Sequence, residues 1–170
     1  MRLVFDLEAN GLYEEATQIW CIVTKDIDTG TINRFYGVHG KDGIFTQEGY
    51  LYQGIDFLEQ ADELIGHNII DYDLRLIKKL CPAFSPAGKV FDTMILSQLL
   101  YPDRAGGHSL GRYGEELGIP KPEHEDWSQF SPEMLHRCTE DVHINHKVYD
   151  KLIEEAYEDV EGIKYSEIFC

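Results

Sequence analysis

The sequence predicts an α/β fold, a mixed sheet covered on both faces by helices. Three observations carry this. The first 36 residues hold three short runs of strand composition separated by turn chemistry. Beyond them, short apolar runs alternate with stretches of helical period. Apolar content of 43%, with 12% aromatics, is enough to fill one core in a chain of 170 residues.

The elements follow in order. Arg2-Leu3-Val4-Phe5-Asp6-Leu7-Glu8 has strand composition, as does the run from Gln18 to Thr24. Asp28-Thr29-Gly30 is turn chemistry, and Thr31 to Tyr36 alternates as a third strand. These three read as an antiparallel meander. Glu63-Leu64-Ile65-Gly66 is a short strand feeding His67-Asn68 and a helix near 71–80. Lys89-Val90-Phe91 is a further strand, and helices are expected near 93–101, 109–117 and 131–157. Ser131-Pro132-Glu133 starts the last of these, with serine as cap and proline in the first turn. The acidic run Glu154 to Glu161 reads as a solvated helix face or as the start of a continuing segment.

Composition excludes several classes. No run of 18 apolar residues occurs and no charged-then-apolar leader opens the chain, which disfavours a transmembrane helix or a secretory signal and points to the cytoplasm. Cys21, Cys81, Cys138 and Cys170 are scattered and read as reduced thiols. Asp and Glu number 31 against 15 Lys and Arg, a net charge of −16. Such acidity argues against gripping nucleic acid by bulk charge. It suits a protein whose carboxylates hold cations.

Carboxylates stand where a core is expected. Asp6 and Glu8 lie two apart in a strand and project from one face, with Leu3, Phe5 and Leu7 on the other. An edge strand with one wet face would read the same way. Asp73 precedes Leu76, Ile77 and Leu80 by three, four and seven residues and so shares the apolar side of its helix. Asp71 is the expected helix-start residue, and a cap or surface position for Asp73 is the alternative. Asp141 interrupts the stripe Met134, Cys138, Val148, Leu152 of the last helix, for which an internal ion pair with Arg75 or Arg112 is the alternative. A buried carboxylate must be paired, hydrogen-bonded or metal-bound. Four carboxylates from three segments can converge, and oxygen-only donors suit Mg²⁺ or Mn²⁺ rather than zinc. Such clusters hold two ions about 3.5–4 Å apart and act on phosphodiesters.

Phe5-Asp6-Leu7-Glu8-Ala9-Asn10-Gly11-Leu12 resembles the first motif of the DEDD superfamily of proofreading exonucleases, in the form seen in phage family A DNA polymerases. Gly66-His67-Asn68-Ile69-Ile70-Asp71-Tyr72-Asp73 resembles the second motif and Cys138-Thr139-Glu140-Asp141-Val142 the third. Phe91-Asp92-Thr93 and His108-Ser109-Leu110 to Gly118 are similar to accessory segments between them, so the resemblance covers residues 1 to about 155. It implies a ribonuclease-H-like fold, with a five-stranded mixed sheet flanked by helices. It implies 3′→5′ hydrolysis of single-stranded DNA ends to 5′-mononucleotides, in a proofreading setting. It implies two Mg²⁺ or Mn²⁺ ions on Asp6, Glu8, Asp73 and Asp141. Residues 1–170 are expected to form a single exonuclease domain, either free-standing or excised from a polymerase, with about 155–170 leading onward.

The resemblance has one departure. The polymerase branch carries a tyrosine four residues before the last aspartate, where this chain has Arg137. The histidine branch carries a histidine five residues before, and His136 stands there. Histidine as a residue type titrates near neutrality, so His136 is a candidate to orient or deprotonate the attacking water. Arg137 is the candidate to neutralise the cluster or bind the scissile phosphate. Asn10, Gly11, Leu12 and Asn68 are candidate substrate contacts, against a strand-ending turn for the first three and helix capping for Asn68. Asp92 is expected to cap the next helix and His108 to be structural, while His143 and His146 read as a surface face and Trp20 and Trp127 as core. Two alternatives stand beside the leading function. One is an RNA-directed 3′→5′ exoribonuclease of the same superfamily. The other is a catalytically weak module that recruits a DNA polymerase.

Overall fold

The computed structural model describes residues 1–37 and 50–157. The chain runs β1 (Arg2–Ala9), β2 (Ile19–Asp26), β3 (Ile32–Tyr36), α1 (Leu51–Glu59), β4 (Glu63–Gly66), α2 (Asp73–Leu80), β5 (Lys89–Asp92), α3 (Thr93–Leu100), α4 (Leu110–Glu116) and α5 (Pro132–Tyr157). The five strands form one mixed sheet in the order β3-β2-β1-β4-β5. The first pairings, β1 with β2 and β2 with β3, are antiparallel. The others, β1 with β4 and β4 with β5, are parallel. This is the ribonuclease-H-like architecture. Among the described residues, no helix is long and apolar enough to cross a membrane. The expected onward connection lies, from residue 158, outside the described residues.

The central position of β1 excludes a wet edge for Asp6 and Glu8. Leu3, Phe5 and Leu7 pack with Leu58 of α1 and with Leu76 and Ile77 of α2. Val4 points the other way and packs with Cys138, Val142 and Tyr149 of α5. Strand alternation therefore aims Asp6 and Glu8 toward the α5 side. The polar pair is sited by the same period that builds the two cores.

Helix α1 is an element the sequence did not announce. Gly54 lies within it and weakens its helical signal. Packing supplies the reason for the glycine, since a Cβ there would sit 2.8 Å from the Phe35 side chain. The β1–β4 ladder covers only Arg2–Val4 against Glu63–Ile65. Past it the two strands no longer pair, and β1 carries Asp6 and Glu8 beyond the end of the ladder. Sites of open α/β sheets form at such places.

The turn from β4 into α2 is held tightly. Asn68 adopts φ 67°, in the left-handed region. The Asp92 carboxylate accepts hydrogen bonds from the Asn68 and Ile70 amides at 2.9 and 3.1 Å, and from the Met94 amide at 2.9 Å. It thus caps α3, as expected, and also organises the turn before α2. A cap role for Asn68 is not what the structure shows: the residue before α2 is Tyr72, which makes no side-chain cap. Asp71 is likewise not the cap, because it is exposed and pairs with Arg75 at 2.8 Å.

Candidate metal centre

Oxygens of Asp6, Glu8 and Asp141 lie within 4.8 Å of one another. Two come from β1 and the third from α5. One turn before Asp141, the Cys138 thiol donates to the Asp6 carbonyl at 3.4 Å, which ties α5 to β1. Asp73 opens α2 and is only 4% exposed. It lies outside the trio but borders it. The Leu7 backbone hydrogen-bonds its carboxylate, and Asp6 and Glu8 repel it. The Leu7 amide is available because β1 has parted from β4 by that point.

Charges crowd this cluster. Burial, then the Asp141 charge, pushes the Asp6 carboxyl up to about 7. Burial, then Asp6 and Asp141, pushes Glu8 up to about 8. Burial raises Asp73, with Asp6 adding to it. It also raises Asp141, with Lys121 and Arg137 pulling the other way.

The two cations are part of the site. The Lys121 ammonium is 2.5 Å from Asp141 Oδ2. Arg137 Nε is 3.5 Å from Glu8 Oε1, its Nη1 donates to the Pro122 carbonyl at 2.7 Å, and its guanidinium lies over the Trp127 ring. The partner of Asp141 is therefore neither Arg75 nor Arg112. Arg75 is engaged by Asp71, and Arg112 pairs with Glu115 at 3.1 Å and Glu116 at 3.4 Å. Lys121 was missed in the sequence because it lies in a loop without period, and its flanking Pro120 and Pro122 are the only local signal.

Other expected site residues scatter around the cluster. His136 is exposed on α5 and does not join the trio. Asn10 closes the loop after β1: its side-chain oxygen accepts from the Thr17 and Gln18 amides at 2.9 and 3.1 Å, and its nitrogen donates to Thr17 Oγ1. The Gly11 carbonyl accepts from the Tyr72 hydroxyl at 2.7 Å. Leu12, beside it, is 76% exposed. Trp20 and Trp127 are half-buried rather than core, and Trp20 Nε1 donates to the Trp127 carbonyl at 3.0 Å. That bond holds the segment between α4 and α5 against the sheet. His108 is structural, with its ring against Ser97 Oγ at 2.6 Å.

A divalent ion fits this arrangement. Every donor is a carboxylate oxygen, as hard cations require. Asp141 is 1% exposed, and its Oδ1 is buried without a hydrogen-bond partner. The two chain cations leave that acceptor uncompensated.

Comparison with known proteins agrees with the fold. The profile of the RNase_H superfamily matches residues 3–128. A DNA-directed DNA polymerase of Enterobacteria phage T3 is 24% identical over 196 residues, covering 91% of this chain and 27% of the polymerase. The chain thus spans about a quarter of that relative's length. Brucella melitensis NrnC bound to pGG superposes with a TM-score of 0.67 at 18% identity, over 98% of this chain and 76% of NrnC. Exonuclease X in complex with 5′ overhanging duplex DNA gives 0.50 at 16% identity, over 89% of this chain and 92% of that one.

Proposed function

The chain belongs to the RNase_H superfamily, and from that premise we propose that it is a metal-dependent 3′→5′ exonuclease hydrolysing single-stranded DNA ends to 5′-mononucleotides during proofreading. The observation that carries the proposal is the oxygen-only trio Asp6, Glu8 and Asp141, its Asp141 buried and Asp6 half-buried, with buried Asp73 beside it. Similarity to a phage DNA polymerase favours DNA as substrate and a polymerase as partner. The folds shared with NrnC and Exonuclease X support a nuclease.

Asp6, Glu8, Asp73 and Asp141 would hold two Mg²⁺ or Mn²⁺ ions. Bound there, the ions would polarise the phosphodiester and acidify water. The chain's own residues do the rest. Burial of Asp73 and Asp141 keeps bulk water from competing at those two carboxylates. Arg137 offsets the charge of Glu8 from α5. The loop Asn10-Gly11-Leu12, fixed by Asn10 and Tyr72, presents exposed Leu12 to a terminal base. Asn68, half-buried at the turn before Asp73, would contact the same end of the strand. His136 has no ligand role in this scheme and would orient or deprotonate the attacking water from the exposed side of α5.

The test is degradation of a 5′-labelled single strand with Mg²⁺, Mn²⁺ or chelator, run in parallel on matched RNA and on pGG. Stepwise shortening from the 3′ end, abolished by chelator and by Asp6→Ala with Glu8→Ala, is expected. No shortening with either ion overturns the proposal, and cleavage confined to RNA or pGG moves the substrate to the exoribonuclease alternative.

A further inference from the structure

Lys121 occupies a singular position. Its ammonium contacts Asp141 Oδ2 at 2.5 Å and its charge also acts on Asp6 and Glu8. It comes from neither sheet nor helix but from the connection between α4 and α5. That connection leaves α4 through Gly118 at φ 69°. Pro120 and Pro122 flank the lysine and have no amide hydrogens to anchor it. The segment is clipped down at Pro122 by Arg137 and at Trp127 by Trp20. The Lys121 side chain keeps 28% of its surface exposed, against 2% for the Asp141 side chain it contacts. Lys121 holds Oδ2 of the carboxylate whose Oδ1 is free, so its ammonium stands beside any divalent ion the trio binds, and two cations held by one carboxylate repel strongly.

We infer that Lys121 is the resident counter-ion of the carboxylate cluster, and that a divalent ion and the Lys121 ammonium compete for Asp141, so that metal loading requires Lys121 to withdraw. The inference rests on the metal-binding reading above. It predicts coupling in both directions, because linkage is reciprocal. Removing the ammonium tightens metal binding, and binding metal frees the ammonium.

The experiment uses the full chain without nucleic acid. Mn²⁺ affinity is measured by calorimetry on wild type, Lys121→Met and Lys121→Arg. Reactivity of the Lys121 amine toward an acylating reagent is read by mass spectrometry with and without saturating Mn²⁺. Lys121→Met is expected to bind Mn²⁺ about tenfold more tightly, within the usual span of such couplings. Lys121→Arg should stay near wild type, and acylation of Lys121 should rise when Mn²⁺ is present. Mn²⁺ binding by Lys121→Met alone would also support the exchange. Equal or weaker affinity in Lys121→Met, or acylation indifferent to Mn²⁺, overturns it while leaving the metal site standing. If no variant binds Mn²⁺, the metal-binding reading fails and takes the inference with it.

Discussion

Asp6 and His67 show how single residues set opposing pH responses. Asp6 has an ordinary value of 3.8 and is held at about 7, first by burial and then by Asp141. A carboxyl raised in this way opposes folding once the pH passes its unfolded value. The penalty grows until the pH reaches the folded value. Metal-free protein should therefore lose stability between about pH 4 and 7. Asp6→Asn should flatten that limb and stabilise the chelated protein at pH 8 by on the order of 1 kcal/mol or more, at the expense of all hydrolysis. Thermal melts in chelator across pH check it. Metal loading at pH 7 should also release protons, read as a calorimetric heat that depends on the buffer. His67 has the opposite sign. Burial lowers it from 6.5 to about 4, and its ring lies 2.9 Å from Thr93 Oγ1 and 2.7 Å from the His108 carbonyl. Its contribution is complete above pH 6.5 and is lost as the pH falls toward 4. In His67→Gln the acid limb between those values should flatten; an unchanged limb would show that His67 is not its source.

Elements position these residues, and two glycines separate positioning from bulk stability. A Cβ on Gly66 would fall 1.9 Å from Ile69 Cγ2, inside the turn that delivers Asp73. Gly66→Ala should cost about 1–3 kcal/mol and weaken Mn²⁺ binding as well. Gly54→Ala meets Phe35 far from the cluster. It should cost a similar amount and leave Mn²⁺ affinity unchanged once folded. Comparable affinity losses in both would mean that the turn has no special hold on the site. Asp92→Ala should behave like Gly66→Ala, losing a cap worth about 1 kcal/mol together with the two turn bonds. At this scale the sequence was legible where period spoke clearly. Alternation placed Asp6 and Glu8 on one face of β1, and the stripe through Cys138 placed Asp141 inward on α5. It was silent about α1, whose glycine answers to a partner strand. It also named the wrong partner for Asp141, because ridge spacing on helices says nothing about a loop lysine arriving between α4 and α5.

The whole molecule is acidic, at −16, and its site is a concentration of that acidity. Grip on a strand through phosphates requires lysines and arginines. Here Lys121 and Arg137 are already engaged with carboxylates. Intrinsic affinity for single-stranded DNA should therefore be weak in chelator and rise when Mn²⁺ is added, read on a strand whose 3′-terminal linkages are hydrolysis-resistant phosphorothioates. Fluorescence anisotropy of a labelled oligonucleotide measures it, and tight binding in chelator would contradict this account. The sequence by itself determined the α/β class, the strand and helix faces and the inward carboxylates, because periods of 2 and 3.6 residues are local geometry. Only the tertiary structure decided that β1 lies at the sheet's centre, that its pairing with β4 ends before Asp6, and that Lys121 and Arg137 meet the carboxylates there. Those facts depend on which distant segments lie side by side in space, and no local pattern encodes the approach of a partly exposed loop lysine to a buried carboxylate.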